Sequence, residues 1–306
     1  MSNCCHEEYQ YIELVTKVLK HGALEDTRNG KTISIFGNMM RFSLQNNKIP
    51  IITTKKTAWK TCLKELLWFI SGETDNNILQ SQNVHIWDDN ASPDFLTNIG
   101  LGHYAPGELG PIYGHQWRHF NKPWTSKNTH IQDVVNNTIP IDEHDQGIDQ
   151  LQNIIDQLKN PLNRNSRRLI LSAWNPVQLS QMALPPCHVL CQFNIHDGNK
   201  LSCALYQRSG DIGLGICFNI ASYSFLTHLI AHHCNLIPHE FVYFLGNAHI
   251  YEEHVGPLQE QIQRTPFDFP TIEITKFREN ISDYCLDDFE IKNYVCHDSI
   301  KMKMIP

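Results

Sequence analysis

Apolar residues recur at helical spacing in four stretches of the chain. Tyr11, Leu14, Val15, Val18 and Leu19 form one stripe, with Gly22 placed to stop it. Trp59, Leu63, Leu66, Leu67 and Ile70 form a second that ends near Gly72, and Ile148, Leu151, Ile154, Ile155 and Leu158 form a third. The stretch from Ala221 to about Cys234 is apolar nearly all round, which predicts a buried helix. Strand-like runs occupy 33–36, 168–174, 189–195, 201–207 and 241–245. Asp197-Gly198 joins two of them as a hairpin turn. Helices and strands alternate irregularly, so the expected class is α+β, a mixed α/β layering. No Pro/Gly/Ser-rich linker divides the chain, and residues 1–306 read as a single domain. The polar stretch 121–146, punctuated by Pro and Asn, reads as a surface insertion without chemistry.

Charge narrows the function classes. There are 25 Lys+Arg against 32 Asp+Glu, a net charge of −7, which argues against general nucleic-acid binding. A local arginine cluster for one phosphate remains compatible with that balance. No apolar run is long enough to span a bilayer, and no secretory pattern opens the chain, so a cytoplasmic protein is expected. The 10 cysteines are then read as free thiols rather than a disulfide framework. Two groupings with metal-ligand residue types do not read as metal sites. Cys4, Cys5 and His6 lack further ligands, and His228, His232 and His233 lack the glutamate a metalloprotease helix carries after its first histidine. No metal is expected.

The chemistry concentrates between Ala183 and Tyr251. Cys187 follows two prolines that fix the backbone before the thiol, which suits a nucleophile. Arg28, Arg167, Arg168 and Arg208 are candidate phosphate ligands, because guanidinium forks match phosphate oxygens, and Ser209 adds a hydroxyl. Arg208 is also the natural cation to favour a thiolate at Cys187. Asn219 carries an amide that can pair with the N3–H and O4 edge of uracil but mismatches cytosine. His249 and Tyr251 lie two apart, on one face of an extended segment, as a sugar-binding pair would. Glu65 sits in an apolar run, where burial raises a carboxyl into the range useful for proton transfer. The glycines of 210–215 do not have dinucleotide-loop spacing.

Nearly the whole chain, from about Val18, resembles the thymidylate synthase family. TISIFGNMMRFSL, TTKK, KELLWFISGET, VHIWDDNASPDFL, GELGPIYGHQWRHF, SRRLILSAWNP, ALPPCHVLCQF, LYQRSGDIGLGICFNIASY and LGNAHIY stand in family order. The resemblance implies a large mixed sheet with helices on one side and two subunits packed sheet against sheet. It implies reductive methylation of dUMP to dTMP, with 5,10-methylenetetrahydrofolate as the one-carbon and hydride donor and dihydrofolate as product. Cys187 would be the nucleophile, Glu65 the proton handler, and Tyr113, His188 and Asn219 the network around the ring. Arg167 and Arg168 would reach into the partner's site. Asp211 would read the pterin edge, and Ile86, Trp87, Asn90, Leu214, Gly215 and Phe218 would line the folate pocket. Residues 301–306 would be a C-terminal lid.

Departures from the family pattern are local. The family's Asp-Arg-Thr-Gly-x-Gly-Thr is Asp26-Thr27-Arg28-Asn29-Gly30-Lys31-Thr32 here, which displaces the arginine by one. Gly-Asp before Ala-His is Gly246-Asn247, and the last residue is Pro306. Two other functions stay open. A pyrimidine nucleotide 5-hydroxymethyltransferase would use the same scaffold with water in place of hydride. An inactive relative that regulates RNA would need neither thiol nor folate pocket.

Overall fold

The structure, a computed structural model, describes residues 6–27, 30–128 and 147–305. In chain order its elements are α1 (Tyr9–His21), β1 (Ala23–Thr27), β2 (Gly30–Ser43), α2 (Trp59–Ile70), α3 (Asn76–Ser81), α4 (Pro93–Asn98), α5 (Tyr113–His119) and α6 (Gln150–Lys159). They continue with β3 (Ile170–Ser172), β4 (His188–His196), β5 (Lys200–Asp211), α7 (Gly215–His233), β6 (Ile237–Tyr251), α8 (Val255–Gln261), β7 (Thr271–Ile274) and β8 (Phe289–Lys292). Six strands form one mixed sheet in the order β1-β2-β6-β5-β4-β3. Only β5 and β6 run parallel, as the long α7 crossover between them requires. The class is therefore α+β, as the interspersed pattern predicts.

Each apolar stripe finds a wall. Tyr11, Leu14, Val15 and Val18 are buried on α1, and Gly22 follows its last turn. Helix α7 packs on β5 and β6 with one side and on α2 with the other, which is why its sequence is apolar all round. Its buried Ser224 and Thr227 satisfy themselves by donating to the carbonyls of Ile220 and Tyr223, both at 2.7 Å. The hairpin turn forms where expected. Asp197 and Gly198 take φ of 46° and 81°, and Asn199 N–H closes the turn onto His196.

The opposite face of the sheet is bare among the described residues. Met39, Phe244 and Tyr206 stand in one cross-strand row and are 49%, 42% and 40% exposed. A row of large apolar side chains in water is the signature of a surface meant to be covered.

Several expected boundaries move. Ile148 pairs with Phe120 outside α6, because the Asp149 side chain accepts from Gln152 N–H at 2.9 Å and caps the helix after it. Helix α7 starts at Gly215, six residues before the apolar run reads as helix, since Gly215 and Asn219 break the apolar pattern ahead of Ala221. Strand β2 passes through Gly37, whose φ of 85° bends it without ending it. Strand β6 runs on to Tyr251 and so carries His249 within the sheet. Of the expected 121–146 insertion, residues 129–146 lie outside the described residues. Its first part is held, since buried Glu108 accepts from Ser126 Oγ at 2.5 Å and from Lys127 N–H at 2.8 Å. No described helix is long and apolar enough to cross a membrane.

Candidate active site

Alternation along a strand places Gln207, Ser209 and Asp211 of β5 on the helix-covered face. The first turn of α7 brings Leu214, Gly215, Phe218 and Asn219 above them. Between these layers lies a cavity of ≈ 470 Å³, lined by Cys187, His188, Glu65, Asn219, Asp211, Ile86 and the tail residues Met304 and Ile305, among others. Ser209 also lines a second hollow of ≈ 270 Å³, walled by Glu25, Thr27, Thr32, Asn247, His249 and Tyr251. The shared serine joins the two into one elongated site.

Cys187 is fixed by its backbone. Its N–H donates to Tyr113 Oη at 2.7 Å, and its carbonyl accepts from Arg208 N–H at 2.9 Å. Arg208 holds the preceding prolines as well, donating through Nε to Pro186 O at 2.9 Å and through a terminal nitrogen to Pro185 O at 2.7 Å. Its guanidinium lies 5.7 Å from the Trp174 ring centre. Burial pushes the Cys187 thiol up, and the nearby Arg208 charge opposes this without reversing it. Arg208 thus acts on the thiol in the direction the sequence predicts, while burial acts the other way. It lines neither hollow, and its forks are turned toward the Cys187 loop.

Glu65 is buried on α2, and Trp87 Nε1–H donates to its carboxyl at 2.7 Å. Burial raises the carboxyl to about 7 despite that hydrogen bond. A group so placed exchanges a proton in either direction near neutrality. The Trp87→Phe variant loses the donor that favours the charged form. A hydrogen bond to a charged group is worth about 1.5–3 kcal/mol, and about 1.4 kcal/mol is one pH unit. The inflection belonging to Glu65 in a turnover–pH profile should thus move upward by about one unit or more. A profile unchanged in this variant would remove Glu65 from the proton step.

Burial holds His188 down to about 4, and the Asn219 side chain opposes this by favouring the protonated ring. Its ring lies 5.2 Å from that of Tyr113. Asn219 is 7% exposed with its amide at the cavity wall. On β6, Asn247 Oδ1 lies 3.0 Å from His249 Nδ1, so the residue that replaces the family aspartate still orients the ring. The His249 and Tyr251 rings lie 5.2 Å apart.

The folate-pocket candidates divide. Ile86, Asp211, Leu214, Gly215 and Phe218 line the cavity. Trp87 and Asn90 are buried behind it, and Asn90 Nδ2 is a buried donor without a partner. Arg167 and Arg168 are exposed just before β3 and line neither hollow of their own chain. Arg28 and Pro306 lie outside the described residues, as do Cys4 and Cys5. His228, His232 and His233 each face a different partner, the Lys48 carbonyl, the Lys276 carbonyl and Lys159 Nζ, rather than one common point. One grouping that could hold a metal, His196, His239 and Glu240, occurs among the described residues. None of the three lines the cavity, and Glu240 is already paired with Arg41.

Sequence reasoning gave no role to Lys55 or Gln207. Lys55 is 5% exposed and lines the cavity, with its Nζ on the Gly213 carbonyl. The signal was the Thr53-Thr54-Lys55-Lys56 block, in which a lysine among residues this buried needs a reason. Gln207 accepts from Tyr243 Oη at 2.5 Å and donates to Ser209 O at 2.8 Å.

Residues 9–306 match the family model described as "Thymidylate synthase". The chain is 47% identical over 300 residues to the thymidylate synthase of Equine herpesvirus 2, covering 98% of each. It is 47% identical over 98% of its length to the bifunctional dihydrofolate reductase-thymidylate synthase of Zea mays and 48% identical to that of Plasmodium chabaudi. It spans 54% and 49% of those two proteins, about half of each.

Proposed function

The chain belongs to the thymidylate synthase family, and from that premise we propose that it methylates dUMP reductively to dTMP. One observation carries the reading. A thiol held by its own backbone, a uracil-matching amide and a carboxyl poised at about 7 all open on one cavity. The phosphate and sugar would occupy the second hollow, beside Ser209, His249 and Tyr251.

Cys187 Sγ adds to C6 of the pyrimidine and moves an electron pair through C5 onto O4. Asn219, with neutral His188 next to it, faces that developing charge with donors already in place. Glu65 takes the C5 proton once the new carbon is attached there. Once the one-carbon unit has parted from its carrier nitrogen and been reduced to a methyl group, the reverse β-elimination frees the Cys187 thiolate.

The cavity suits a folate co-substrate. Its far end is apolar, through Ile86, Leu214, Phe218, Met304 and Ile305, and offers the Asp211 carboxylate to N–H donors of a ring. When bound, 5,10-methylenetetrahydrofolate supplies the one-carbon unit and the hydride. Met304 and Ile305 add apolar surface to the cavity wall, which favours hydride transfer over the hydroxymethylating alternative. The protein incubated with dUMP and the folate should yield dTMP and dihydrofolate in equal amounts. Formation of 5-hydroxymethyl-dUMP without dihydrofolate would overturn the reading.

Base choice rests on Asn219. The Asn219→Asp variant should gain activity on dCMP relative to dUMP by about tenfold or more, since each mispaired buried group costs about 1–3 kcal/mol. Unchanged preference would take the base-reading role from Asn219.

A homodimer accords with the bare row of Met39, Phe244 and Tyr206. Arg167 and Arg168 would then serve the partner's phosphate site.

A further inference from the structure

His254 follows β6 in a short turn, and its side chain is 1% exposed. Its Nε2 lies 2.8 Å from the backbone carbonyl of Lys303, in the tail whose next two residues, Met304 and Ile305, line the cavity. Its Nδ1 lies 3.4 Å from Asp211 Oδ1. The same Asp211 carboxylate accepts from Gly213 N–H at 2.9 Å and Leu214 N–H at 3.1 Å, the turn that starts α7. The ring is fitted against this turn so closely that a Cβ at residue 213 would come within 2.4 Å of Nδ1. On its other side it meets the Tyr251 ring at 5.7 Å.

We infer that His254 is a positioning residue that ties the tail at Lys303 to the Asp211–Leu214 turn and thereby holds Met304 and Ile305 over the cavity. The inference rests on the proposed reaction only for its kinetic consequence, since the tie itself is a property of the protein alone. The earlier anchors of this segment do not reach the lid. Tyr294 Oη donates to Ile52 O, His297 N–H to Thr53 O, and Arg264 to Asp298 O. Beyond residue 298 the Nε2 contact is the remaining hydrogen bond recorded between the tail and the body among the described residues.

The charged groups facing the ring are Asp211 on β5, His249 on β6 and Lys55. Burial lowers the imidazole and Lys55 opposes its charge, but the nearby Asp211 carboxylate and the hydrogen bond to Lys303 O outweigh them and leave it raised. The charged ring donates through Nε2 to the tail and sets Nδ1 3.4 Å from the Asp211 carboxylate, an ion pair rather than a well-formed hydrogen bond.

Two variants separate this role from simple packing. The His254→Phe side chain keeps a ring against Gly213 and Tyr251 but has no donor. The His254→Gln side chain keeps a donor that reaches toward Lys303 O. In hydrogen exchange of the full chain without ligands, Phe should speed exchange of residues 301–305 by about tenfold, and Gln by much less. With dUMP and the folate, Phe should raise the folate KM and lower kcat by about tenfold each, with dUMP affinity within about twofold of the parent. Gln should recover most of both. Tail exchange in the Phe variant equal to the parent's overturns the tie, as does a Gln variant no better than Phe at matched melting temperature. If the parent makes no dTMP yet Phe frees the tail, the proposed reaction fails while the tie stands.

Discussion

The Cys187→Ser variant should lose at least about a thousandfold in turnover and still bind dUMP. Cys187 carries the nucleophilic sulfur of the proposed reaction, and a hydroxyl at the same place stays protonated at neutral pH. Nothing that holds the nucleotide changes. The loop is fixed by Tyr113 Oη on the Cys187 N–H and by Arg208 on the two prolines, all contacts to main chain. Equilibrium dUMP binding, followed by calorimetry beside a turnover assay, should therefore show Kd within about threefold and rate nearly absent. A variant that turns over at a tenth of the parent's rate would take covalent addition out of the mechanism. Loss of binding together with rate would mean that Sγ packs the site rather than attacks from it.

The sequence carried the fold where periodicity met an uninterrupted core. Helix α1 and the 197–198 turn lie where apolar spacing and Asp-Gly put them. It failed where the site itself broke the pattern. Gly215 and Asn219 serve the cavity, so the first turn of α7 does not look like the rest of a buried helix. The outer half of β6 carries polar residues such as Asn247 and His249, which a search for apolar strands passes over. The family resemblance named Cys187, Asn219, His249 and Asp211, and the fold brings them to one elongated site. It could not show what orders them. Lys55 on the Gly213 carbonyl and His254 on Lys303 are contacts between residues 158 and 49 positions apart, and no local spacing reports those. The charge state of the thiol depends on contacts of the same kind. Arg208 is adjacent in space, but its forks are occupied by carbonyls and burial outweighs its charge.

That shortfall of positive charge bears on the number of chains the site needs. Within the described residues the Cys187 thiol has Arg208 as the cation that lowers it, and burial prevails. Arg167 and Arg168 are exposed and point at nothing in their own chain's cavity, while the sheet beside them presents the uncovered row of Met39, Phe244 and Tyr206. If two copies close that face, the paired arginines of each can enter the other's phosphate site and add the missing charge. Such an arrangement has a consequence that a self-contained site lacks. Dimers of Cys187→Ser and dimers of Arg167→Ala/Arg168→Ala should each be nearly inactive. Mixed one to one under subunit exchange, half of the dimers become hybrids. In each hybrid one site carries both defects and the other carries neither, so about a quarter of all sites should work. Activity should climb from near zero to about a quarter of the parent's as exchange proceeds, and crosslinking the dimers before mixing should abolish the gain. No recovery after demonstrated exchange would confine both arginines to their own chain and leave the bare face of the sheet without a catalytic reason.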